Sequence, residues 1–276
     1  MTSQSETTRS DLLKLAQEVA IAAGDLLRAR LPEVAGGRLL ARGASTKSSP
    51  TDLVTDIDRS SEALIVAALL KSRPADGIQG EEGSSRDGST GITWVIDPLD
   101  GTINYLYGIP LFAVSIAASS GGRSIVGAVH NPLSGETFAA SEGVGAWLDG
   151  RRLRLEPAGR PLSESLVGTG FSYRAQRRAV QARLLSVVLP EVRDIRRGGS
   201  AALDLCWVAA GHLDAFFESG LQPWDLAAGG LIAREAGATV TALEGAADGP
   251  PTIVAAAPGL EAPLVELLRR AASERG

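Results

Sequence analysis

Nine consecutive residues constrain this chain most: Trp94-Val-Ile-Asp-Pro-Leu-Asp-Gly-Thr102. Trp94, Val95 and Ile96 read as the end of a buried strand. Asp97 and Asp100 emerge where that strand is expected to stop. Pro98 keeps Asp97 extended and out of the helical region, and the chain then turns. Both carboxylates can therefore face one point, and the Leu99 carbonyl can point the same way. Asp100 suits the N-cap of a short helix over residues 103–107. The amides of Gly101 and Thr102 would then lie at a helix N-terminus, a ready anion site, and Gly101 lets a ligand approach the backbone closely. The stretch reads as a divalent-metal and phosphate site. The competing reading is a turn with an ordinary helix cap.

Other carboxylates fall where elements begin or end: Asp52, Asp56 and Asp58; Glu81 and Glu82; and Asp225 in Pro223-Trp-Asp225. Each alone is explained equally well as a loop acid or a cap. Together they suit hard divalent ions, which take oxygen ligands, and paired ions about 3.5–4 Å apart need several carboxylates with one bridging. The other reactive side chains carry less. His130 and His212 share no motif with a nucleophile. Cys206 sits on an apolar helix face as an inert buried thiol. Arg174, Arg177, Arg178, Arg193, Arg196 and Arg197 read as solvated faces, with a lesser reading that one lies near an anionic substrate.

Composition removes several classes. A net charge of -5 disfavours broad nucleic-acid or anionic-membrane binding. One cysteine excludes an internal disulfide and fits a reducing cytoplasm. No apolar run approaches the roughly 18 residues that span a bilayer, and the polar N-terminus lacks a signal-peptide core, so a cytoplasmic protein is expected.

Hydrophobic periodicity divides the chain. Residues 1–9 read as a disordered tail, and Asp11 to Arg30 as an amphipathic helix capped by Ser10 and stopped by Pro32. Residues 36–50 read as loop, residues 58–72 as helix and residues 77–80 as a short strand, followed by a polar loop. Strand-like runs at 112–118, 124–130, 137–141 and 146–148, separated by turns, imply an antiparallel meander. After Pro161 strands and helices alternate, which implies a sheet covered by helices. The expected organisation is an N-terminal α+β half over 1–160 and a C-terminal α/β half over 161–276.

Asp97-Pro-Leu-Asp-Gly-Thr102, with Gly80-Glu-Glu82 upstream and Trp224-Asp225 downstream, resembles the inositol monophosphatase family. The likeness runs from Lys47 to Gly237. It implies a layered αβαβα sandwich with an N-terminal antiparallel sheet and a C-terminal mixed sheet. It also implies a magnesium-dependent, lithium-sensitive sugar-phosphate phosphatase holding two to three Mg2+ ions. The family's metal ligands map to Glu81, Asp97, the Leu99 carbonyl, Asp100 and Asp225. Its catalytic set maps to Asp58, Glu81 and Thr102, with Asp58 and Thr102 as the pair that activates water. Its phosphate cradle maps to Gly101 and Thr102, and its polyol contacts to Asp100, Ala201, Glu218 and Asp225. Glu82 supports. Gly83 stands where a serine is common, and the region from Gly170 to Arg174 varies within the family, so substrate contacts there do not transfer. Inositol monophosphate is the expected substrate. Histidinol-phosphate, fructose-1,6-bisphosphate and 3'-phosphoadenosine 5'-phosphate are the rivals. An RNA- or polymerase-associated regulator with secondary catalysis is the alternative of another class. A homodimer is implied, and nucleic acid is disfavoured as a main partner.

Overall fold

A computed structural model of the protein describes residues 2–34, 45–46, 53–54, 56–244 and 249–273. In chain order, helix α1 (Thr2–Val34) is followed by the two-residue strands β1 (Ser45–Thr46) and β2 (Leu53–Val54), helix α2 (Asp56–Ser72), β3 (Gly77–Gly80), β4 (Ser85–Arg86) and β5 (Ile92–Asp100). The short helix α3 (Thr102–Tyr107) leads into β6 (Ala113–Ser120), β7 (Arg123–His130), β8 (Thr137–Ser141), β9 (Gly145–Leu148) and β10 (Arg151–Leu153). Then come β11 (Leu166–Thr169), α4 (Ala175–Val188), β12 (Asp194–Arg196), α5 (Ala201–Ala210), β13 (Ala215–Ser219), α6 (Pro223–Ala236), β14 (Thr239–Leu243), β15 (Thr252–Ala256) and α7 (Glu261–Ser273).

The elements stack in five layers. The first sheet has eight strands in the order β10-β9-β8-β7-β6-β5-β3-β4. It is the expected meander from β5 to β10, except that β3 joins β5 in parallel. The second sheet has five strands in the order β12-β11-β13-β15-β14 and is mixed, since β11 pairs in parallel with both neighbours while β15 runs antiparallel to β13 and β14.

Period-two alternation explains the stacking. In β6, Val114, Ile116 and Ala118 turn to one face, where α1 and α2 bury Leu12, Val19, Leu27, Ile65 and Leu69 with Trp94 and Ile96. Ala113 and Ala117 turn to the other face and meet Ala202, Cys206, Ala228 and Ile232 of α5 and α6. The far side of those two helices packs Leu205, Val208 and Ala233 on Phe216 and Ala255 of the second sheet. Helix α7 closes the stack with Leu264, Leu267 and Leu268 on Val167 and Val254. The middle helices lie very close to the first sheet: a Cβ on Gly127 would stand 2.9 Å from Ala228 Cα. Only glycine permits that approach.

Three expectations at the N-terminus need correction. Residues 2–9 are helical rather than a tail, and Ser10 lies inside α1. No glycine or proline interrupts this stretch, and Arg9 fastens it by reaching the Glu142 carbonyl at 3.0 Å and its carboxylate at 3.1 Å. Pro32 does not stop the helix, which ends two residues later at Val34. The loop expected over 36–50 lies outside the described residues apart from β1, and Asp52 lies outside them too. Strand β10 carries no strand signal in the sequence, because two of its three residues are exposed arginines.

Candidate active site

Strand β5 does not stop at Ile96. It continues to Asp100 across an irregularity: Asp97 pairs with Ser115 and Asp100 with Ala113, so Pro98 and Leu99 oppose the single residue Val114. Such a bulge re-aims the side chains around it. Asp97 Oδ1 accepts the Leu99 amide at 3.0 Å, which fixes the carboxylate over its own turn.

Asp100 is not the cap of α3. That position belongs to Gly101, in the left-handed region with φ 94°, which favours glycine. The Asp100 carboxylate points to the other half of the chain. Its Oδ2 accepts Ser200 Oγ at 2.6 Å and the Ala202 amide at 2.7 Å, both at the start of α5. Asp225 enters from the first turn of α6, where its Oδ2 also accepts the Gln222 amide at 2.6 Å. Asp225 thus closes the capping box of α6 with Gln222, as its helix-cap reading expects.

These three carboxylates converge. Asp97, Asp100 and Asp225 each offer an oxygen, and the three oxygens lie within 4.8 Å of one another. They border a cavity of about 640 Å³ that Glu81, Leu99, Gly101, Thr102, Ala201 and Glu218 also line. Thr102 Oγ1 lies 3.1 Å from Asp58 Oδ1 and 3.2 Å from the Leu99 carbonyl, and donates its one hydrogen to either. Asp58 itself is buried on α2. Asp56 is exposed and pairs with Arg59 at 3.2 Å, so it does not join the site.

The electrostatics are those of crowded, desolvated anions. Burial first, then the charges of Glu81, Asp100 and Asp225, push the Asp97 carboxyl well above its ordinary range, and a hydrogen bond with Glu81 adds to the rise. Burial lifts Asp100 to about 6, with the bonds from Ser200 and Ala202 holding it back. Burial, then Asp100, raises Asp225. Glu218, against Gly170, is lifted to about 7 by burial and by Asp100, with Arg197 opposing. A divalent cation among these oxygens would remove the mutual repulsion, and an all-oxygen donor set suits a hard ion. The residues present therefore fit a metal centre.

Arg174, Arg177 and Arg197 line the same cavity, whereas Arg193 binds the Glu164 carbonyl and Arg196 pairs with Asp194. His130 is buried against Thr137 and Cys206 is a buried free thiol. Sequence reasoning missed Glu62 and Asn104. Asn104 Nδ2 donates to the Leu111 and Gly198 carbonyls at 2.6 and 2.8 Å and so ties the α3 turn to the entry of α5. The sequence signal for Glu62 was a polar residue four positions after Asp58, on the same helix face.

The fold and this site define a layered α/β protein with a cluster of carboxylates suited to a hard metal ion. The chain belongs to the inositol monophosphatase family, whose model matches residues 8–274. It is 46% identical over 269 residues to the inositol-1-monophosphatase of Mycobacterium leprae, covering 93% of this chain and 92% of that one. It is also 46% identical over 204 residues to the Nus factor SuhB of Escherichia coli, covering 73% and 76%. Among solved structures, Mycobacterium tuberculosis SuhB superposes with a TM-score of 0.78 at 43% identity, over 95% of this chain and 97% of that one. The Thermotoga maritima IMPase superposes at 0.83 and 32% identity, over 96% and 100%. No helix among the described residues is long and apolar enough to cross a membrane.

Proposed function

We infer that the protein is a magnesium-dependent phosphatase that hydrolyses inositol monophosphate to inositol and phosphate. The observation that carries this reading is the convergence of Asp97, Asp100 and Asp225 within 4.8 Å at one side of a cavity of a size to admit a sugar phosphate. Glu81, the three aspartates and the Leu99 carbonyl would hold two to three Mg2+ ions. Magnesium, when bound, supplies Lewis-acid charge that eases attack by water on phosphorus and departure of the alkoxide. The chain's own groups do the rest. Thr102 takes a proton from the attacking water as it passes its own hydroxyl proton to Asp58, and the departing alkoxide takes a proton from a water near Asp225. The amides of Gly101 and Thr102 orient the phosphoryl oxygens. Glu218, Ala201, Asp100 and Asp225 border the space for the polyol, and a carboxylate such as Glu218 accepts hydrogen bonds from ring hydroxyls.

Phosphate release from inositol monophosphate, histidinol-phosphate, fructose-1,6-bisphosphate and 3'-phosphoadenosine 5'-phosphate, with and without magnesium, tests the assignment. The expected result is magnesium dependence, inhibition by lithium and highest kcat/KM on inositol monophosphate. Equal or greater efficiency on a rival substrate overturns the substrate assignment. A homodimer in the cytoplasm completes the proposal, and light scattering on the purified protein tests the dimer.

Relatives named Nus factor SuhB, at 46% identity, support a second reading as a transcription-associated regulator. The net charge of -5 weighs against RNA as its main partner. Co-purifying nucleic acid that survives high salt would favour this reading.

A further inference from the structure

Glu62 is 3% exposed, on the inward face of α2, and no step above uses it. Its two carboxylate oxygens divide between two backbone donors of one turn: Oε2 accepts the Glu82 amide at 2.8 Å and Oε1 accepts the Ser84 amide at 2.9 Å. The same turn is closed by Gly80 N–H to the Ser84 carbonyl at 2.7 Å and tied to β5 by Glu81 N–H to the Ile96 carbonyl at 3.1 Å. Gly80 leaves room for the clamp, since a Cβ there would collide with the Glu62 carboxylate. A buried carboxylate held by two amides is a rigid support, because charge-assisted hydrogen bonds fix both ends of the contact.

The neighbouring residues of α2 serve the other side of the site. Ser61 Oγ donates to the Pro98 carbonyl at 2.9 Å, and Asp58 Oδ1 accepts from Thr102 at 3.1 Å. Asp58, Ser61 and Glu62 stand at i, i+3 and i+4, on one helix face. One helix thus grips both the β3–β4 turn that carries Glu81 and the β5 bulge that carries Asp97 and Asp100.

We propose that Glu62 is a positioning residue for the metal centre: by clamping the amides of Glu82 and Ser84 it holds the Glu81 carboxylate against Asp97. The proposal rests on the metal-dependent reading of the site. In Glu62→Gln the side-chain amide presents an N–H to one of the two backbone N–H donors, so one side of the clamp is lost while size is kept. Isothermal titration of magnesium into full-length protein reads the effect directly. The expected result is an affinity about 10-fold or more below wild type, the range for residues that orient metal ligands. The magnesium concentration for half-maximal phosphatase activity rises in parallel, KM for the ester at saturating magnesium stays unchanged, and amide exchange quickens at Glu82 and Ser84. Ser60→Ala, on the exposed face of the same helix, leaves all four readouts at wild-type values. Glu62→Asp keeps the charge but withdraws it by one methylene, and it carries the same expectation should Glu62→Gln not fold. Wild-type magnesium affinity in folded Glu62→Gln or Glu62→Asp overturns the clamp alone. Absence of magnesium binding by the wild type overturns the metal reading and the clamp with it.

Discussion

Asp100 and Ser200, from opposite halves of the chain, meet at 2.6 Å inside the protein. The contact places a carboxylate of β5 on the first turn of α5, where the Ala202 amide adds a second donor. Ser200 is also the N-cap of that helix and accepts the Leu203 amide at 3.3 Å. One hydroxyl therefore both orients a candidate ligand and begins the helix that joins the two sheets.

Ser200→Ala is expected to separate these two roles. Loss of the cap costs about 1 kcal/mol. Loss of the hydrogen bond to Asp100 lowers magnesium affinity about 10-fold. Thermal melts of metal-free protein measure the first and calorimetric titration the second. A variant with wild-type magnesium affinity would show that Ser200 is only a cap.

Asp97→Asn should abolish turnover yet spare the fold. The amide oxygen still accepts from Leu99, while a buried negative charge disappears. The expected loss in kcat at saturating magnesium is on the order of 10³. The melting temperature without metal stays at or above that of the wild type, and the stabilisation by added magnesium shrinks. Near wild-type turnover would remove Asp97 from the metal centre.

Stability without metal should fall as the solution becomes less acidic. Asp100 titrates at about 6 and Glu218 at about 7, both raised first by burial, and Asp97 and Asp225 are raised as well. Each group binds its proton more tightly folded than unfolded. The folded state is therefore favoured below about pH 4 and loses that advantage as pH rises through 6 and 7. Melting temperatures in a chelating buffer should decline from pH 5 to 7.5, and magnesium should reverse the decline at the upper end. A melting temperature in chelator that climbs over this range contradicts the prediction.

Another buried acid, Asp76, works in the opposite sense. Asp76 accepts Arg73 Nε at 2.8 Å, Thr90 Oγ1 at 2.6 Å and the Trp94 indole at 3.0 Å. Burial would raise its carboxyl, but the bonds from Arg73, Thr90 and Trp94 outweigh it and hold the group below its ordinary value. Its contribution is present above about pH 4 and is lost as acid protonates it. Asp76→Asn is expected to cost about 2–3 kcal/mol, a fall of roughly 5–10 °C in melting temperature, with kcat retained. An unchanged melt would mean that water replaces the network.

Local pattern made much of this molecule legible. Val114, Ile116 and Ala118 alternate with Ala113 and Ala117, so β6 and its meander were readable as a two-faced sheet. Asp97, Asp100 and Asp225 stood beside prolines and glycines at the ends of elements, where side chains leave the backbone pattern. Other features depend on which surfaces dock. Asp56 and Asp58 look alike in sequence, yet one faces solvent and the other Thr102. Glu62 carries no local signal of its role beyond its spacing from Asp58, because that role exists only where α2 seats on the β3–β4 turn. A local window pairs Asp100 with the adjacent α3, because a partner in α5 leaves no mark there. The helical start of α1 was hidden because its polar residues show no apolar stripe before Leu12.

The cavity is assembled from segments that meet only when both sheets have seated on α5 and α6. Asp100 and Ala202 are 102 residues apart and in direct contact. Closing so long a loop is slow, and contacts of this kind form late. An ion that needs both segments finds no partner set in the half-folded chain, so it acts as a lock on the finished molecule rather than as a template. Stopped-flow experiments should find refolding rates indifferent to magnesium and unfolding rates slowed by it. On the proposed metal-dependent reading, the cation would set the lifetime of a newly made chain rather than the speed of its maturation.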